Sequence, residues 1–240
     1  METKDLDIVY CIKDDDSNEE LRYSLRSLVN LPHKKVWIYG KGPAWLNDEK
    51  IGHIKPRQNK GHKWLNARYM LEKIANNNDI SEDFIWFNDD FFVMKPQTQL
   101  YAWKDRTLEQ RANDFSSRLV WGSRSKYGVR LLQAAQALQE KDKPTLNYEL
   151  HLPIIFNRKK LKQCCKEFEG VGCIRSLYQN LYAENPIQRY DVKIYDGALS
   201  PNPDIDFLST TDATFKSGKV GYYIRNKFKV KSQYEKEENG

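Results

Sequence analysis

The chain has 240 residues, with 39 Lys+Arg against 33 Asp+Glu, a net charge of +6, 40% apolar residues and 12% aromatic ones. That composition excludes a disordered or low-complexity chain and fits one domain, or one with a small appendage. The longest apolar runs, FIWF and LPIIF, fall far short of the roughly 20 residues a membrane span needs, and Met1-Glu-Thr-Lys-Asp5 is too polar to open a signal peptide, so a soluble, cytoplasmic protein is expected.

In chain order, Asp7 to Ile12 reads as a buried strand, followed by a helix opened by the capping-box sequence Ser17-Asn-Glu-Glu20 with Leu21, Leu25, Leu28 and Val29 on its apolar face. Val36 to Tyr39 is the next strand, ending at Gly40-Lys-Gly-Pro43, and Ile51 to Ile54 a short third. Gly61 precedes a helix with Trp64, Ala67, Leu71 and Ile74 on one face, which frays at Asn76 to Asn78 before the strand Phe84 to Phe87. Strands alternating with helices of this size imply right-handed crossovers and a mainly parallel sheet, so residues 1–98 are expected to form a Rossmann-like α/β layer that binds the ligand.

From about residue 99 to 233 the pattern turns helical: Thr107 to Leu119, Val129 to Glu140, Arg158 to Phe168 and Ile174 to Glu184. Short strands are expected near Val192 to Tyr195 and Gly221 to Ile224, and residues 234–240 are expected to fray. Cys164 and Cys165 share a helical face with Leu161 and Phe168, which makes them core thiols; the cysteine spacing supports no zinc site.

In an open parallel sheet ligands bind beyond the carboxyl ends of the strands, where strand order reverses. Lys13-Asp-Asp-Asp16 follows the first strand and Asn88-Asp-Asp90 the fourth. Carboxylates held between apolar runs are costly unless paired with a cation. Asn88, Asp89 and Asp90 are therefore candidate ligands for Mg2+ or Mn2+ chelated by a diphosphate, the alternative being a structural cap. Asp15 and Asp16, just ahead of Ser17, read first as a solvated turn or helix cap. Gly61 through Arg68 sets Lys63, Asn66 and Arg68 at a helix start, where free N–H groups attract anions.

Candidate bases are Glu149, His151 beside Pro153, and Asp212. The stretch Tyr222 to Tyr234 interleaves Arg225, Lys227, Lys229 and Lys231 with aromatics, fitting an edge strand with a basic face, a flap over phosphates or a nucleic-acid contact. No P-loop, dinucleotide fingerprint or nucleophile elbow is present.

The runs DIVYCIKDDDSNEELRYSLRSL, VWIYGKGPAWLND and ISEDFIWFNDDFFV, with a fainter HLP at 151 to 153, resemble the conserved regions of the Stealth family of hexose-1-phosphate transferases. That family is similar in turn to nucleotide-sugar transferases of GT-A architecture, in which an acidic motif at a strand end holds the metal and diphosphate; Asn88-Asp-Asp90 occupies that place. The chain departs from the family where Lys13-Asp-Asp-Asp16 replaces its D-G-S-D loop and runs straight into the helix. The C-terminal S-T-T-D and K-S-x-Y-E sequences look like those of small glycosyltransferases, some phage-encoded.

The resemblance implies a GT-A-type fold and a metal-dependent glycosyltransferase moving sugar from a nucleoside diphosphate sugar to an acceptor hydroxyl. Asp14, Lys63, Asn66, Arg68, Arg225 and Lys231 would then serve the donor, and Glu149, His151 or Asp212 the acceptor, which could be DNA or another polyanionic polymer. Stealth-type sugar-1-phosphate transfer is the alternative enzyme, and a non-catalytic nucleic-acid or glycan-binding protein the alternative class.

Overall fold

The computed structural model describes residues 1–13, 16–57, 63–116 and 125–237; for 64, 65 and 116, as well as Lys63, the backbone alone is described. The elements run β1 (Asp7–Cys11), α1 (Glu19–Ser27), β2 (Val36–Tyr39), β3 (Ile51–Ile54), α2 (Lys63–Ala75), β4 (Asp83–Phe87), β5 (Phe91–Val93), β6 (Trp103–Lys104), α3 (Leu108–Ser116) and α4 (Lys126–Gln139). They continue with β7 (Ile154–Asn157), α5 (Arg158–Glu167), α6 (Ile174–Tyr182), β8 (Ile187–Gln188), β9 (Lys193–Ile194), β10 (Phe207–Thr210), α7 (Asp212–Ser217) and α8 (Lys219–Lys227).

The central sheet has the order β3-β2-β1-β4-β7, with β1 to β4 parallel and β7 antiparallel at the edge. Side chains alternate across it. Val9, Trp37, Phe84 and Trp86 face a core closed by α2, α4, α5 and α6. Ile8, Tyr10, Ile38, Ile85 and Phe87 face the opposite core, to which α1 contributes Leu21 and Leu25. The chain steps outward from β1 to β2 and β3 through α1, then returns across the other face through α2 to place β4 on the free side of β1. Strand order therefore reverses between β1 and β4, and a crevice opens above their carboxyl ends.

A second sheet, β5-β10-β9, starts directly after Asp90 and carries α7 and α8 on its outer face. Phe92, Leu208, Phe215, Val220 and Ile224 form that small core. Gly221 makes the approach of α8 to α7 possible, because a Cβ there would stand 1.7 Å from the Phe215 carbonyl oxygen.

Several expectations are corrected. The cap of α1 is Asn18, whose side chain accepts from Leu21 N–H, and Val29 is 82% exposed instead of facing the core. Gly221 to Ile224 is helical within α8, so the basic aromatic stretch is no edge strand. Tyr234 and Glu235 are buried, with the Tyr234 carbonyl accepting from Asn47 N–H, so the chain is held at these two positions where fraying was expected to begin; residues 238–240 lie outside the described ones. Strands β7 and β10 are additions to the expected elements. The cysteines are free thiols, with Cys164 and Cys165 buried as expected. Among the described residues no helix is long and apolar enough to cross a membrane.

Candidate functional site

Above the carboxyl ends of β1 and β4 lies a cleft of about 440 Å³ lined by Lys13, Asn18, Glu20, Arg22, Trp45, Asp89, Asp212 and Lys216, among others. Lys13 arrives there because β1 ends two residues earlier, and Asn88 to Asp90 form the tight turn from β4 into β5, closed by Phe91 N–H donating to the Asn88 carbonyl at 3.3 Å. Asp14 belongs to this region in sequence but lies outside the described residues.

The two aspartates have different neighbours. Asp89 Oδ2 accepts from Asn18 Nδ2 at 2.8 Å, so the residue that caps α1 with its Oδ1 also holds a carboxylate with its amide. Asp90 Oδ2 accepts from Lys193 Nζ at 2.6 Å and Ser209 Oγ at 3.2 Å, while its Oδ1 is buried with no hydrogen-bond partner among the described residues. Glu20 accepts from Thr210 Oγ1 at 2.7 Å.

Negative charge is crowded here. Burial pushes the Asp89 carboxyl up to about 6, with the charge of Asp90 adding and the Asn18 hydrogen bond opposing. Burial likewise carries Glu20 up to about 7, against the Thr210 hydrogen bond and with Asp90, Asp89 and Asp212 adding. Asp212 goes the other way: burial would raise it, but Lys13, with Nζ 3.3 Å from Oδ2, holds it below the usual carboxylate range.

Other candidates sit elsewhere. Arg68 is buried in the seam between α2 and α5, where its guanidinium donates to the carbonyls of Phe168 at 2.8 Å, Val171 at 2.7 Å and Cys165. That corrects the phosphate-facing reading: its donors are spent where α5 ends. Arg225 donates to the Phe215 carbonyl at 2.8 Å and the Lys216 carbonyl at 3.4 Å, tying α8 to α7, so it is no phosphate clamp either. Lys231 lines a groove with Leu25, Leu28, Phe228 and Tyr234 that shares no lining residue with the cleft.

Asn66 is half-buried on α2, and the Lys63 side chain is outside the described residues. Glu149 is 9% exposed, accepting from Ser176 N–H at 3.0 Å and facing Arg175 Nε at 3.3 Å; those contacts make it a structural anchor, correcting the acceptor-base reading. His151 stays partly open, its Nδ1 on the Asp191 carboxylate at 2.8 and 3.0 Å.

No family model and no curated protein matches the chain. Solved structures do.

An active-site mutant of LgtC is 13% identical with a TM-score of 0.43, over 76% of this chain and 72% of that one. The galactosyltransferase LgtC in complex with donor and acceptor sugar analogs is 14% identical with a TM-score of 0.42, over 76% and 73%. Likeness of this extent assigns neither activity nor residues, and the Stealth resemblance rests on the quoted motifs alone.

Sequence reading missed Glu20, Asn18, Lys193, Ser209, Thr210 and Asp191. Glu20 and Asn18 carried a signal, since the helix after β1 must start at the crevice. Lys193, Ser209 and Thr210 carried none, because their arrival depends on the pairing of β10 with β5 and of β9 with β10, long-range events.

Proposed function

We propose that the protein is a glycosyltransferase that binds a nucleoside diphosphate sugar in the cleft over β1 and β4 and transfers the sugar to an acceptor hydroxyl. The observation that carries this reading is the buried Asp90 Oδ1, with no hydrogen-bond partner among the described residues, beside Asp89 at the point where strand order reverses. A buried carboxylate oxygen without a donor is a cost that a bound cation removes.

The residues fit Mn2+ or Mg2+ in one particular manner. Among the described residues no three His, Cys, Asp or Glu side chains are grouped to hold an ion by themselves. Asp89 and Asp90 suit an ion that takes one or two carboxylates and completes its shell with diphosphate oxygens and water. Bound there, the ion would offset charge on the departing diphosphate.

This chain's own groups supply the rest. Lys13 and Lys216 bring positive charge to the cleft wall for the phosphates. Glu20, pushed up to about 7, exchanges its proton near neutral pH, so its protonated form can donate to a sugar hydroxyl and its ionised form accept from one. Asp212, held ionised by Lys13, accepts only.

Calorimetric titration with UDP, GDP, CDP and TDP, with and without Mn2+, tests the reading. The expected result is metal-dependent binding of one diphosphate, lost in Asp90→Ala. No heat with any nucleotide under any metal condition would end it. Product analysis then separates sugar transfer, which releases nucleoside diphosphate, from Stealth-type sugar-phosphate transfer, which releases the monophosphate.

A further inference from the structure

Linked to Asp90 through Lys193, a second cluster is built around Asp191. Its carboxylate receives His151 Nδ1 at 2.8 and 3.0 Å and the His151 backbone N–H at 3.0 Å. Lys193 N–H adds a contact at 3.4 Å, and Arg111 Nη2 lies 3.7 Å away. Burial alone would raise the Asp191 carboxyl, but the His151 hydrogen bond and charge and these N–H groups bring it down to about 2, so it stays ionised. An ionised carboxylate on Nδ1 selects the Nδ1–H tautomer and leaves Nε2 as a lone-pair acceptor. Nε2 has no hydrogen-bond partner among the described residues.

Two aromatic rings frame the imidazole. Phe91 meets it edge-on at 6.4 Å from inside, and Tyr195 at 6.5 Å and 87° from outside. Tyr195 is 64% exposed, an open ring beside an oriented base. The cluster is joined to the donor carboxylates through one residue, since Lys193 touches Asp191 with its N–H and Asp90 with its Nζ at 2.6 Å. Phe91 likewise follows Asp90 directly in sequence. An imidazole acceptor, an exposed aromatic face and adjacency to the donor site match the needs of a sugar ring, which has hydroxyls on its rim and an apolar face.

We propose that His151, Asp191 and Tyr195 form the acceptor-sugar subsite, with Tyr195 stacking on the sugar, His151 Nε2 taking the proton of the attacking hydroxyl, and Asp191 positioning His151. In the transfer, the acceptor oxygen bonds to the anomeric carbon of the donor. The bond from that carbon to the diphosphate oxygen breaks with its electron pair remaining on the diphosphate, and the hydroxyl proton goes to Nε2. The role in transfer rests on the donor reading above; binding of a sugar at this cluster does not.

The test is 15N nuclear magnetic resonance of the four histidine rings, with His151 assigned by His151→Gln, during titration with the methyl glycosides of glucose, galactose, mannose and N-acetylglucosamine in the presence of UDP and Mg2+. Expected are the Nδ1–H tautomer in the native protein and a shift of the His151 ring with at least one glycoside. Tyr195→Ala should weaken that response about tenfold. Asp191→Asn, which keeps an oxygen for the backbone N–H groups, should lose the single tautomer and the glycoside response together. An Nε2–H tautomer in the native protein, a His151 ring that no glycoside perturbs, or an unchanged tautomer in Asp191→Asn would each overturn the proposal. UDP binding is read by calorimetry on the same samples: a native protein that binds glycoside at His151 but no nucleotide retains the sugar subsite and loses the donor reading.

Discussion

The seam between α2 and α5 and the cleft over β1 and β4 treat buried charge in opposite ways. In the seam, Arg68 donates to three carbonyls and to Glu72 at 3.1 Å. The same holds at the C-terminal segment, where Arg26 forks onto Glu235 with two contacts of 2.7 Å. In the cleft, Asp89 is held by a neutral amide and Glu20 is pushed toward neutrality, while Asp90, buried next to Asp89, keeps one oxygen with no hydrogen-bond partner among the described residues. Folding needs the first arrangement and bears the second as a cost, and costs of that kind gather where a ligand is to be bound.

The comparison predicts that disturbing the seam costs stability and spares binding, while disturbing the cleft does the reverse. The largest effect is expected for Arg68→Met, which leaves the Phe168, Val171 and Cys165 carbonyls without their donor. A loss of about 3 kcal/mol should appear as a lower urea midpoint, with nucleotide binding retained while the protein is folded. A loss below about 1 kcal/mol would show that water satisfies those carbonyls and that the seam is less closed than its geometry states.

Glu235→Gln comes next, at about 2 kcal/mol, because it removes a fork of charge-assisted bonds from a side chain only 3% exposed. Burial would raise the Glu235 carboxyl, yet Arg26 and Ser232 hold it below the usual range. A depressed carboxyl contributes its stability above the unfolded value of about 4.3 and loses it as pH falls through the folded value. The two proteins should therefore differ most near neutral pH and converge in acid. A difference that stays constant with pH would mean that packing of Tyr234 and its neighbours, not the ion pair, carries the effect.

The N-terminal half of the fold was legible because its strands and helices each announce themselves within a dozen residues: DIVYC, VWIY and DFIWF lie where expected, as does α2. The strand-end carboxylates were legible for the same reason. The C-terminal half was not, because its meaning depends on distant pairing. KVGYYIRNK has the aromatic and β-branched content of a strand, but its apolar positions Val220, Gly221 and Ile224 follow helical spacing onto Phe215. Arginines are the least legible residues in the sequence. A guanidinium at a helix start looks like an anion site, and whether it instead serves carbonyls 100 residues away is decided by how α2 meets α5. His151 stands out as a residue type, but Asp191, which gives it a tautomer, is an isolated aspartate in an irregular segment.

Smaller, and opposite in sign, is Asp89→Asn. A carboxyl whose folded value lies above its unfolded one holds its proton more tightly in the native state, so its stability contribution is greatest in acid and falls as pH rises from about 4 to about 6. The amide removes that fall. The variant should be more stable than the native protein by about 1–2 kcal/mol at neutral pH, indistinguishable near pH 4, and unable to bind nucleotide with metal. Glu20, unaltered, leaves a residual fall toward pH 7 in both. Thermal melts across this range without metal check the sign; a destabilised Asp89→Asn would move Asp89 into the class of Arg68, a structural group with its charge satisfied.

The smallest stability effect belongs to Asp212→Asn. Its side chain is 67% exposed and its pair with Lys13 spans 3.3 Å in solvent, so the expected loss is under about 0.5 kcal/mol. Its position makes the variant useful nonetheless. Asp212 opens α7 at the cleft wall and neutralises Lys13, so removing its charge leaves the Lys13 ammonium more available to a diphosphate. Tighter binding of nucleoside diphosphate at unchanged stability is the outcome that assigns Lys13 to the phosphates. Weaker binding at unchanged stability would instead place Asp212 itself against the donor, on a sugar or ribose hydroxyl. Either result separates a group that shapes the ligand site from those that hold the fold, which stability measurements on Arg68 and Glu235 cannot do.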